Sequence, residues 1–79
     1  MELEILTPKG IEFKGEVSVL ILPTLLGQIS VLPKHASLIS VLKPGRMKIK
    51  TGEEEISKEI EGGLLEVSHN KAVILLKKF

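Results

Sequence analysis

Apolar and polar residues take turns along nearly the whole chain. Glu2-Leu3-Glu4-Ile5, Ile11-Glu12-Phe13-Lys14 and Arg46-Met47-Lys48-Ile49-Lys50 each switch sides residue by residue, the period of a strand with one buried face. Thr7-Pro8-Lys9-Gly10 separates the first two. Proline there fixes φ and glycine admits positive φ, so the pair predicts a hairpin. Glu16 to Leu22 predicts a strand of another kind, with Val17, Val19 and Ile21 on one side and Ser18, Leu20 and Leu22 on the other. Both sides are largely apolar, and the outer one needs cover from a curled sheet, a loop or a partner.

After Leu25-Leu26-Gly27 the segment GQISVLPKHASLISVLKPG carries two X-Pro steps. Proline removes a ladder donor and extends the residue before it. Leu32-Pro33 and Lys43-Pro44 should therefore each close a strand, which predicts strands over Gln28 to Leu32 and His35 to Leu42. A turn at Thr51 to Glu54 leads to a strand over Glu55 to Glu61, with Ile56 and Ile60 on one face. Gly62-Gly63 predicts a bulge or a close backbone approach. Leu64 to Val67 and Ala72 to Leu76 form a last hairpin around Ser68-His69-Asn70-Lys71, where Asn tolerates positive φ. Nine or ten short strands at close spacing indicate an all-β sandwich or flattened barrel occupying residues 1 to 79 as a single domain.

Composition narrows the chemistry. Of 79 residues 43% are apolar but only 3% aromatic, so the core is aliphatic and packing alone must hold a domain of this size. The absence of cysteine removes disulfides, thiolate metal sites and thiol nucleophiles, and fits a reducing compartment. Eleven basic residues against ten acidic ones lack the basic excess of a nucleic-acid binder. The opening MELEIL lacks the basic start and apolar run of a signal peptide, and no apolar run reaches the ~20 residues of a membrane span, so a cytosolic chain is expected.

Catalysis needs a nucleophile, a base and an orienting group, or a metal cluster. The chain has no Asp, Cys or Tyr. His35 and His69 have no second ligand at metal spacing, and read as a loop-end residue and a solvated turn residue. Glu53-Glu54-Glu55 reads as an acidic hairpin tip, with Arg46, Lys48 and Lys50 able to pair with it across the hairpin. No enzyme activity, cofactor or metal is expected. Met47-Lys48 echoes the Met-Lys pair of biotinyl and lipoyl carrier domains, but lies inside a strand rather than at a tip. What remains is surplus apolar surface: Leu20, Leu22, Leu25, Leu26 and Ala72 to Leu76 exceed what one inner face can absorb, which points to a protein partner.

The order TPKG…F-x-GEV…LP…G-x-x-x-VLP-x-H-x-x-L…L-x-PG…GG-x-LEV…N-x-x-x-IL, running from Leu3 to Leu75, resembles the amino-terminal β-sandwich of the epsilon subunit of F-type rotary ATP synthases. The resemblance implies a ten-stranded sandwich of two five-stranded sheets. It also implies a non-catalytic rotor subunit at the foot of the central stalk, which couples rotation of the c ring to the catalytic head through gamma. Its partners would be gamma and the c ring, with no nucleic acid and no small-molecule substrate. It would be peripheral at the cytoplasmic face of the bacterial membrane or an organelle equivalent. By the same resemblance Leu26, Gly27, Gln28 and Ile29 face the ring, and His35 lies in the adjoining segment. The family loop has an acidic residue where this chain has Gln28, and Gly-Val where it has Ser30-Val31. The carboxy-terminal helical hairpin of longer members has no counterpart, so coupling without its inhibition of hydrolysis is expected. The alternatives are a free-standing β interaction module and, behind it, a carrier domain.

Overall fold

The computed structural model describes residues 1–79 and is all-β. The strands are β1 (Glu2–Thr7), β2 (Gly10–Glu16), β3 (Val19–Thr24), β4 (Gly27–Val31), β5 (Leu38–Leu42), β6 (Gly45–Thr51), β7 (Glu54–Ile60), β8 (Gly63–Ser68) and β9 (Lys71–Leu76).

Two half-sheets face each other. One has the order β2-β1-β9-β8-β5 and the other β4-β3-β6-β7. They are joined by a single ladder pair, Thr24 with Leu42, where β3 leaves β6 and touches β5. The implied two sheets of five are thus five strands and four, curled into one continuous half-barrel. All neighbours are antiparallel except β1 and β9, which run parallel from Glu2 opposite Lys71 to Leu6 opposite Leu75.

Alternation places the core between the halves. Leu3, Ile5, Leu65, Val67, Ala72 and Ile74 come from one half, and Leu20, Leu22, Val31, Met47, Ile49 and Ile60 from the other. Burying an aliphatic side chain of this kind contributes ~1.5 to 3 kcal/mol, and with no disulfide this packing is the main source of stability.

The strand expected over Glu16 to Leu22 is broken at Ser18. β2 ends at Glu16, Val17 N–H bonds to Met1 O at 2.8 Å, and Ser18 N–H bonds to Lys50 O at 2.8 Å. The chain changes partner there, and the facing pattern shifts with it. Val17, Leu20 and Leu22 all reach the core, while Val19 and Ile21 are half-buried on the outer side. Leu20 and Leu22 are therefore core residues and not surplus surface, as are Ala72, Ile74 and Leu76.

β3 also runs through Pro23 to Thr24. Proline is tolerated because Pro23 falls where the ladder passes from β6 to β5, so its missing N–H is not needed. The expected strand over His35 to Leu42 starts only at Leu38. Residues 32–35 turn instead, with His35 N–H bonded to Leu32 O at 3.1 Å and Lys34 at φ 65°. The last hairpin turns on His69 and Asn70 at φ 51° and 59°, the left-handed pair of a type I′ turn.

A candidate protein-interaction surface

The outer side of the five-stranded half carries a row of apolar residues crossing all five strands. Register places Val41 beside Leu64, Leu64 beside Leu75, Leu75 beside Leu6, and Leu6 beside Ile11. Val41, Leu64, Leu75 and Ile11 are exposed and Leu6 is half-buried. A row of this length without cover is what marks a protein contact on a small domain. A shallow depression of about 440 Å³ lies against the row, lined by Val41, Leu64, Leu75 and Lys77 among others.

The next row in register is mixed. It reads Ile39, Glu66, Val73, Glu4, Lys14, and Ile39 is 72% exposed. Beyond it the face is charged and internally paired. Lys71 Nζ lies 3.2 Å from Glu4 Oε2 and 3.4 Å from Glu2 Oε1. Hydrogen bonding to Glu4, then its charge, then Glu2, hold the Lys71 ammonium above the ordinary lysine range. The face thus grades from apolar to charged along the strand direction.

The β3–β4 turn exposes Leu25 and Leu26, and Leu26 is 99% exposed. The turn is nevertheless built from beneath. Thr24 is buried, its hydroxyl donates to Gly27 O at 2.6 Å, and it accepts from Leu26 N–H at 3.2 Å. Leu25 N–H is held by Val41 O at 3.1 Å, and Gly27 at φ 120° supplies a backbone geometry that side-chain-bearing residues rarely adopt. Two leucines are therefore held out in solvent on a fixed support. The signal for this support is local: Thr24 stands three residues before Gly27, where a hydroxyl can stabilise a turn.

The five residues suggested by family resemblance do not form one patch. Leu26, Gly27 and Gln28 lie at the β3–β4 end with the Lys43-Pro44 and Glu61-Gly62 turns, as the pairs Thr24–Leu42 and Leu42–Gly63 require. Ile29 faces inward and packs on the core. β4 then carries the chain across the domain, ~3.3 Å per residue, so half-buried His35 sits at the opposite end beside the β8–β9 turn. Its Nδ1 bonds to Ala36 O at 2.7 Å, so the ring closes its own loop.

The remaining candidates are accounted for locally. His69 is an exposed turn residue. Arg46 pairs with Glu59 at 3.1 Å and donates to Ser57 at 2.9 Å, rather than reaching the acidic tip at Glu53 and Glu54. Lys48 lies mid-strand between Ile21 and Ser57, away from any hairpin tip. Gly62-Gly63 is a close approach. A Cβ on Gly63 would collide with the Leu75 carbonyl, and one on Gly62 would lie 3.1 Å from Leu42 O.

A family model described as the β-sandwich domain of the ATP synthase delta/epsilon chain matches residues 1–79. The ATP synthase epsilon chain of Chlorobium limicola is 41% identical over 75 residues, spanning 94% of this chain and 85% of that one. That of Nitratiruptor sp. is 44% identical over 79 residues, or 98% of this chain and 60% of the relative. The chain spans only 54% of the epsilon chain of Dehalococcoides mccartyi, to which it is 39% identical over 75 residues. Among solved structures, a chain of the Tetrahymena thermophila mitochondrial ATP synthase central stalk and c-ring superposes with TM-score 0.84 at 22% identity, over 96% of this chain and 62% of that chain. A chain of the Euglena gracilis mitochondrial enzyme gives 0.89 at 23%, over 96% and 49%. These two likenesses concern the fold. Together the sequence matches establish that the chain belongs to the ATP synthase delta/epsilon β-sandwich family.

Proposed function

We propose that this domain is a non-catalytic rotor part of an F-type ATP synthase, binding gamma through the apolar row and touching the c ring with the β3–β4 turn. The observation that carries the reading is the row Val41, Leu64, Leu75, Leu6, Ile11, a docking face on a family member. Family membership supplies the complex, and the Tetrahymena relative belongs to a central stalk and c-ring assembly. Gln28 is uncharged and exposed, so its contribution at the ring is a neutral hydrogen bond and not an ion pair. No helix is long and apolar enough to cross a membrane; the rotor reading makes attachment by this domain peripheral, through the complex, at the cytoplasmic face or its organelle equivalent.

Mixing the chain with gamma from the same organism and fractionating by size tests the reading. A stoichiometric complex at micromolar concentration is expected, lost in Leu64→Glu and kept in Ser57→Glu on the other half. Failure of the wild-type chain to co-elute overturns it.

A further inference from the structure

We propose that free copies of this chain pair face to face through the outer side of the five-stranded half, about a two-fold axis lying along the apolar row. The pairing goes beyond the role in the synthase and does not depend on it.

Closed two-fold pairing sets the same patch of both copies together. Two such arrangements keep the strands of the two copies aligned, and the chemistry of the five-stranded face separates them. Rotation about an axis parallel to the strands lays Glu66 and Glu4 of one copy near the same acids of the other. Rotation about the row itself keeps each strand opposite its own counterpart but reverses its direction. The apolar row then meets the apolar row, and the acidic side of one copy meets the opposite side of the other.

Lys77 lies on that opposite side. It follows Leu75 by two residues, just past the end of β9, and lines the same depression as Val41, Leu64 and Leu75, which puts it at that end of the face. Row rotation brings Lys77 of one copy over Val73 of the other. Val73 lies between Glu66 of β8 and Glu4 of β1 in register. Glu4 already holds Lys71 and Lys14, whereas Glu66 and Lys77 each have no ion-pair partner within the chain and are exposed. Two symmetric Glu66–Lys77 contacts flanking an apolar centre give a self-complementary face with a polar rim.

Sedimentation equilibrium on the intact chain, from low to high micromolar concentration, tests the pairing. The mass is expected to rise from 8.7 kDa toward twice that value. Leu64→Lys should weaken association about tenfold or more, the scale of one desolvated contact. Glu66→Lys and Lys77→Glu should each weaken it severalfold, and the double charge swap should restore it. All three sites are exposed, so each variant can be checked for an unchanged thermal melt. A chain that stays monomeric throughout overturns the proposal, as does a dimer indifferent to Leu64→Lys, or a double swap as weak as the single ones. A dimer lost in Leu26→Asp but kept in Leu64→Lys places the contact at the β3–β4 turn and also overturns it. A monomeric chain that captures gamma refutes the pairing while leaving the rotor role intact.

Discussion

The backbone N–H of Lys34 donates a 2.8 Å hydrogen bond to the side-chain oxygen of Asn70, 36 positions away. Asn70 also accepts from Glu2 N–H through its own carbonyl at 3.1 Å. One asparagine thereby ties the loop after β4 and the start of β1 to the β8–β9 turn. Its left-handed backbone, φ 59°, is what aims the side chain at the loop.

Separating these two roles requires two substitutions. Asn70→Gly keeps the turn and loses the tether, at a cost of about 1 kcal/mol. Asn70→Ala loses both and should cost about 2 kcal/mol, because alanine resists positive φ. In both variants amide exchange at residues 32–37 should accelerate, and an unchanged exchange rate there would disprove the tether.

Gly63 should be nearly irreplaceable. Gly63→Ala drives a methyl into the Leu75 carbonyl and to 2.8 Å from Leu76 Cδ2, parting β8 from β9 and costing about 3 kcal/mol or more. Gly52→Ala meets open space and strains only a φ of 60°, so about 1 kcal/mol is expected. Urea unfolding of the two variants side by side measures the difference.

Leu26 and Leu65 make the opposite contrast between surface and core. Leu65 is fully buried, and Leu65→Ala should cost 2 to 5 kcal/mol, roughly. Leu26→Ala should leave stability within about 0.5 kcal/mol while reducing retention on immobilised c ring. Loss of stability in Leu26→Ala would mean that the leucine packs on something.

Lys71 predicts an alkaline weakness. Its folded pKa lies above the ordinary value, chiefly through the bond to Glu4. The stability it contributes is therefore complete below the unfolded lysine value of ~10.4 and is lost as pH rises through the folded one. Thermal melts of wild type and Lys71→Met should differ at neutral pH and converge in strong alkali. A gap that persists there would show that the lysine acts by packing.

Alternation alone revealed most strands, because one face of each is wet and the other dry. It failed where a strand changes partner. At Ser18 the facing pattern shifts within one apparent strand, so Leu20 and Leu22 look like surplus until their burial is seen. At His35 to Ser37 the residues suit a strand, but they follow the left-handed turn at Lys34 and the regular strand begins only at Leu38. The apolar row was invisible for a deeper reason. Its members come from five strands, and only the register, a property of residues far apart in sequence, aligns Ile11 with Val41. The separation of His35 from Leu26 has the same origin, since resemblance groups them by sequence while β4 spans the domain between them.

The parallel pairing of β1 with β9 sets a timetable for synthesis. Glu2 to Leu6 find their second neighbour only in Lys71 to Leu75, so on the ribosome β1 waits for nearly the whole domain to emerge. Until then it has β2 alone, and an isolated hairpin is marginal in water. Long-range closure of this kind slows folding and leaves apolar strands open to wrong partners. A nascent chain stalled before Lys71 has cleared the exit tunnel should therefore remain protease-sensitive from its first residues, and become resistant in one step once β9 is free.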